Sequence, residues 1–215
     1  IVAGKNVQVN VTIINFLNKQ STNFDSIENE IKDNATLNYT IVDIGGKYSI
    51  TNYYSNVIGK EAKNSIKTVY LGTDNQIKDI NYIAELRGQK THMEMDLQGA
   101  LKDNSKKNFK GTIDFKKGSK KAKGHENEEC MMLSGKAKSL ALPMLLCTEE
   151  DVEGEHSTSS GKADEKELFY IMSRGLSKNE AIKLMVKAKF YDIIERIQDE
   201  NLKTEVIEEI DRRLD

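Results

Sequence analysis

The sequence predicts a mainly β chain, a right-handed parallel β-helix over residues 1–160 followed by a small α-helical subdomain over 161–215. Three observations predict it. Apolar residues alternate with polar ones up to about residue 155, turn signals recur at a spacing close to 14 residues, and the texture changes abruptly at Ser157 to Lys162. Alternation with period two puts one face of each strand into a core and the other into water. A degenerate repeat means coils that each bury an apolar face against the next.

The strands follow in order. Val7, Val9, Val11 and Ile13 alternate first, then Leu37, Tyr39 and Ile41, then Ile66, Thr68 and Tyr70. Met93, Met95 and Leu97 continue the pattern, as do Gly111, Ile113 and Phe115. These runs are rich in β-branched and aromatic residues, and proline is absent until Pro143. Between them fall "DNATL" (33–37), "GKYSI" (46–50), "EAKNSI" (61–66), "DNQI" (74–77), "RGQKTHM" (87–93), "DNSKKNF" (103–109), "KGSKKA" (117–122) and "SGKAKSL" (134–140). An antiparallel sandwich is the competing arrangement, but only Gly45-Gly46 resembles a tight hairpin turn.

The tail reads as helix. Asp164 with Glu167 has capping-box spacing, and Leu168, Ile171 and Met172 share a face as packing residues. Gly175 suits a left-handed stop. Ser177 with Glu180 makes a second box, followed by Ile182, Met185, Ala188 and Ile193 at helical spacing. A last helix carries Leu202, Val206, Ile210 and Leu214. The ordinary purpose of such a tail is to cap the open end of a solenoid, where a bare β edge invites aggregation.

Composition narrows the function classes. The net charge of −2 exerts no global pull on nucleic acid or membrane. Lys102–Lys123 carries nine lysines and Glu149–Glu155 five acids, both read as solvated loops. The apolar run Leu140–Cys147 is far too short to span a bilayer. Two cysteines make no disulfide framework, which fits a reducing cytoplasm. The triplets at Asn10, Asn34 and Asn38 are incidental to an Asn- and Thr-rich region. The chain opens on Ile1, so an amino-terminal segment is expected ahead of it.

No phosphate loop surrounds Gly46-Lys47 or Gly59-Lys60, and there is no nucleophile elbow and no C-x-x-C. A carbohydrate-cleaving β-helix needs clustered acids supported by basic residues. Arg87 is the sole arginine before Arg174, and no acids cluster in register. Cys130, Cys147 and His156 lie within 27 residues, so neighbouring coils could bring them together. With Glu155 they would make a ligand set for iron or an iron–sulfur cluster. On the other side, Cys147 ends an apolar run and Cys130 precedes Met131-Met132-Leu133, so both read as small buried hydrophobes. His156, among acids, reads as exposed.

Leu133 to Val186 closely resembles the carboxy-terminal region of the SufB/SufD family of iron–sulfur cluster assembly scaffolds. The resemblance rests on Leu133-Ser134, Pro143, the acidic turn Glu149–Asp151 and His156 with Ser157-Thr158. It continues through Leu168-Phe169-Tyr170, Ser173-Arg174-Gly175 and Glu180-Ala181. It implies a right-handed β-helix whose helical subdomain docks on a SufC-type ABC ATPase. Leu168, Phe169, Tyr170, Ser173, Arg174, Gly175 and Ser177 would shape the docking module. It implies pairing with a SufB-like or identical scaffold subunit, with His156 near the interface. It also implies no catalysis by this chain and no permanent cofactor, only transient iron or an iron–sulfur cluster. The SufB branch carries a cysteine where this chain has "SGKAKSLALP", and a glutamate at the place of Ser157, so the resemblance is closer to SufD. The alternative is a β-helical binding or structural solenoid with no cluster chemistry.

Overall fold

The computed structural model describes all of Ile1–Asp215. Its strands are β1 (Val2–Ala3), β2 (Gln8–Asn15), β3 (Thr22–Ile31), β4 (Thr36–Asp43), β5 (Tyr48–Val57), β6 (Lys63–Gly72), β7 (Ile77–Leu86), β8 (His92–Leu101), β9 (Lys106–Phe115), β10 (Ala122–Met132), β11 (Lys138–Cys147) and β12 (Val152–Lys162). Three helices follow, α1 (Glu165–Ser173), α2 (Lys178–Ile194) and α3 (Glu200–Leu214). Odd-numbered strands form one six-stranded sheet and even-numbered strands another. Each strand pairs in parallel with the strand two elements on. The chain is therefore a parallel β-solenoid, crossing from one sheet to the other at every turn.

The turn spacing near 14 residues is half a coil. Asn38 donates to Asn10, 28 residues away, Asn64 to the Leu37 carbonyl over 27, and Ser65 to Glu94 over 29. Each full coil thus carries two strands and two punctuation marks. One corner is turned by Asn6, Asn34, Glu61, Lys90 and Lys121, all in the left-handed region with φ between 53° and 60°. The amide of each donates to a carbonyl in the following coil, at Asp33, Lys60, Gln89, Lys120 and Asp151. These bonds lock the coils in register, so side chains stack row upon row. Gly45-Gly46 turns a coil corner, not a hairpin: a side chain at Gly45 would come within 2.3 Å of the Leu17 nitrogen.

The interior is lined by the inward half of each alternation. Tyr39, Tyr53, Tyr82 and Phe109 stack edge to face with centroids 5.2, 5.6 and 6.1 Å apart. Their buried hydroxyls are paired with Asn29, Asn64 and Thr68, as a buried Tyr requires. The same inward phase also holds charge. Lys78 is buried against Asp43 at 2.7 Å, and Lys107 against Glu128 at 2.8 Å.

The helices do not cap the solenoid. The carboxy-terminal halves of β4, β6 and β8 turn apolar on their outer face too, at Val42, Val69, Leu71 and Ala100. With Ile44 these residues form one buried cluster with Val186, Phe190, Ile193, Ile194, Val206 and Ile210 of α2 and α3. An apolar outer face needs a cover, and burying each such side chain contributes roughly 1.5–3 kcal/mol. Lys189 pairs with Glu129 at 2.6 Å, and Lys102 donates to the Leu214 carbonyl at 2.7 Å. The helices therefore lie along the flank of the even-numbered sheet and share a core with it. The last coil, β11 and β12, stays open.

Candidate functional site: the open coil and the first helix

β11 and β12 each pair on one side only, so each offers an unpaired backbone edge. Along β11, Leu140, Leu142, Met144 and Leu146 point outward and are 46–48% exposed. A long apolar edge strand left bare is a site of chain-to-chain pairing. Pro143 sits in its middle, a position proline tolerates only at an edge or bulge.

Parallel register sorts the residues of β12. Ser157 donates to Asn127, which in turn donates to Asp96, an outward ladder at 2.7 and 3.2 Å. His156 is therefore inward. It sits in register with Glu126, as Thr158 does with Glu128 and Ser160 with Cys130. Glu155 is outward, in register with His125, whose Nδ1 lies 3.5 Å from its carboxylate. Cys147 ends β11 in the other sheet, in register with Phe115, and its thiol donates to the Glu149 carbonyl. His156 and Glu155 thus lie on opposite faces of β12 and Cys147 stands on the other sheet, so the three are not brought together as a ligand set. No group of three or more His, Cys, Asp or Glu side chains is arranged to hold a metal ion. Cys147 is exposed, not buried, because the final coil has no neighbour to cover it. Cys130 is buried beside Met132, and burial raises its thiol above the ordinary value.

The inner wall of the mouth holds residues that composition did not single out. Lys107 bonds Glu128, which also accepts from the Tyr70 hydroxyl. Two positions along, Glu126 is fully buried and neither of its oxygens has a partner. Burial, and then the Glu128 charge, push its carboxyl up to about 7. Gly111 on the opposite sheet makes room: a Cβ there would lie 2.4 Å from the Glu126 carboxyl carbon. The available signal was phase, since Lys78, Lys107, Glu126 and Glu128 are charges at inward positions of the alternation.

α1 buries no residue. Asp164 accepts from the amides of Lys166 and Glu167, while the reciprocal capping box forms at Ser177 and Glu180. Leu168 and Ile171 are half-buried, but Met172 is exposed, so that face packs only in part. Phe169 is 74% and Tyr170 59% exposed. The Arg174 guanidinium lies 5.2 Å from the Tyr170 ring centre, and Ser173 donates to the Tyr170 carbonyl at 2.7 Å. Gly175, at φ 99°, ends the helix, and Ser177 caps the next. Arg174, Tyr170 and Phe169 form a surface presented to solvent. No helix is long and apolar enough to cross a membrane.

The chain is thus a parallel β-solenoid with an open apolar edge and an exposed helical appendage. Residues 1–189 match the family described as SUF system FeS cluster assembly, SufBD core domain, and the chain belongs to that family. It is 28% identical over 166 residues to the iron-sulfur cluster assembly protein SufD of Bacillus subtilis, covering 77% of this chain and 38% of that protein. A SufBD family protein of Pyrococcus horikoshii is 32% identical over 157 residues, 72% of this chain and 34% of its own. SufD of Escherichia coli is 26% identical over 114 residues, 53% and 27% respectively. The chain thus spans well under half the length of these relatives.

Proposed function

We propose that this chain is a non-enzymatic, SufD-like scaffold of a cytoplasmic SUF-type assembly complex, binding a SufC-type ABC ATPase and a second scaffold subunit, SufB-like or identical. The uncovered final coil carries the reading. Two unpaired strand edges and four exposed apolar side chains on β11 leave a surface that a second solenoid would complete. His156 faces into that mouth, where transient iron or a nascent cluster would be cargo between the subunits. The second contact is α1. Phe169, Tyr170 and Arg174 supply an aromatic and cationic surface of the composition enriched at interaction hot spots. ATP hydrolysis belongs to the partner, and its movements would reach the mouth through α1 and the helices packed on the sheet.

Anaerobic co-purification with the SufC-type ATPase of the same cell tests this. Truncation after Lys162 would also strip the cover from the even-numbered sheet, so the informative variant is Tyr170→Ala with Arg174→Ala. Retention by the unaltered chain and loss in the variant, with unchanged melting, supports the docking role. Equal retention by both removes α1 from it, and no retention by either removes the ATPase partnership.

A further inference from the structure

We propose that the cleft between the α2–α3 connection and the first strands of the even-numbered sheet binds a small organic monocarboxylate, with Arg196 and Thr40 as its anchors. This cleft is separate from the mouth and from α1, and has a volume of about 390 Å³, within the range of small-molecule sites. Its floor is two outward rows in register, Asn10 beside Asn38 and Thr12 beside Thr40. Its roof is the turn from Arg196 to Asp199 that joins the two helices. Thr40 is only 5% exposed and lines the cleft, yet its hydroxyl bonds no other protein group. A buried hydroxyl left so is costly until a ligand joins it. Arg196 is half-buried, and its guanidinium makes no hydrogen bond or ion pair within the chain. The acids around it are engaged elsewhere: Glu94 by Lys67 at 3.0 Å and Ser65 at 3.2 Å, and Glu195 by Lys203 at 3.1 Å.

Asp199 accepts from the amides of Asn201 and Leu202 at the start of α3, where the helix dipole offsets its charge. Arg196 is therefore the uncompensated charge of the cleft. A planar guanidinium matches a carboxylate through paired N–H···O bonds, and the Thr40 hydroxyl adds a further donor. One cation, with Asp199 in the same wall, suits a single negative charge. A dianion such as phosphate would meet repulsion that no second cation relieves. Asn10, Asn38 and Gln198 offer amides to a hydroxylated body, and Ile197 and Leu202 an apolar surface. A ligand held so ties the α2–α3 connection to the first coil.

The test is a titration of the full chain with lactate, followed through the NMR signals of Thr12, Thr40 and the Arg196 side chain, with phosphate and chloride as comparison anions. Lactate should shift these signals saturably. Arg196→Met should weaken binding by about tenfold or more, the loss of a charge-assisted pair, and Thr40→Val by about two- to tenfold. Lys166→Met, on the exposed surface of α1, should bind as the unaltered chain does. Without lactate, Arg196→Met should melt as its parent does, which separates lost binding from lost fold. Shifts that are absent, or that are equal in Arg196→Met, overturn the site. Tighter binding of phosphate than of lactate, or chloride matching lactate, overturns the carboxylate assignment.

Discussion

Lys107 of β9 and Glu128 of β10 meet inside the solenoid at 2.8 Å, both side chains within 1% of complete burial. The ammonium also donates to the Leu140 carbonyl of the edge strand at 3.2 Å, and the carboxylate accepts from the Tyr70 hydroxyl. One pair therefore joins both sheets and the last coil. Breaking such a pair costs more than it contributes, because the remaining charge stays buried. Lys107→Met should destabilise the chain by about 3–5 kcal/mol. Lys107→Met with Glu128→Leu should recover most of that loss in urea unfolding. A single variant as stable as the unaltered protein would show that water reaches Glu128.

Glu126 makes stability depend on pH in the direction opposite to a salt-bridged acid. Its carboxyl is raised from 4.5 to about 7 in the folded chain. Between those values the folded state holds a proton that the unfolded chain has released, so stability falls as pH rises. The penalty is complete above about pH 7 and is on the order of 1–3 kcal/mol. In metal-free protein, Glu126→Gln should gain stability relative to its parent as pH goes from about 5 to 8. Melting curves of the two across that range, differing by a constant, would refute the assignment.

The apolar row on β11 should govern pairing between solenoids. Leu142→Lys with Met144→Glu places charge on two outward, half-exposed positions, where folding itself should shift by less than about 0.5 kcal/mol. Sedimentation of the chain with a second scaffold subunit, or with itself, should show loss of the paired species. Undiminished pairing would move the interface away from this edge.

Much of the architecture was legible before any coordinates. Val9, Tyr39, Ile66 and Met95 announce strands by alternation, and Ser177 with Glu180 announces the start of α2, because both depend on neighbours in the chain. The spacing near 14 residues was visible as well, but not its meaning. Whether it marks a coil or half of one depends on which strands pair, and Asn10 reaches Asn38 only in three dimensions. The capping expectation failed for a related reason. Alternation describes only the inward face of each strand, whereas Val42, Ile44, Val69, Leu71 and Ala100 mark an outer face that α2 and α3 must cover.

The site divides along the same line. By itself the sequence determined the residue types and the position of His156 at the end of the repeat, whereas it placed Lys107, which the structure buries, in a solvated run, and the exposure of Phe169 and Tyr170 came only with the fold. Tertiary structure alone decided who meets whom. A residue's side of the strand follows from local backbone geometry, but its neighbour one coil away lies about 30 positions distant and is set by register. That is why His156 faces Glu126 and not Glu155, and why Cys147 stands apart on the other sheet.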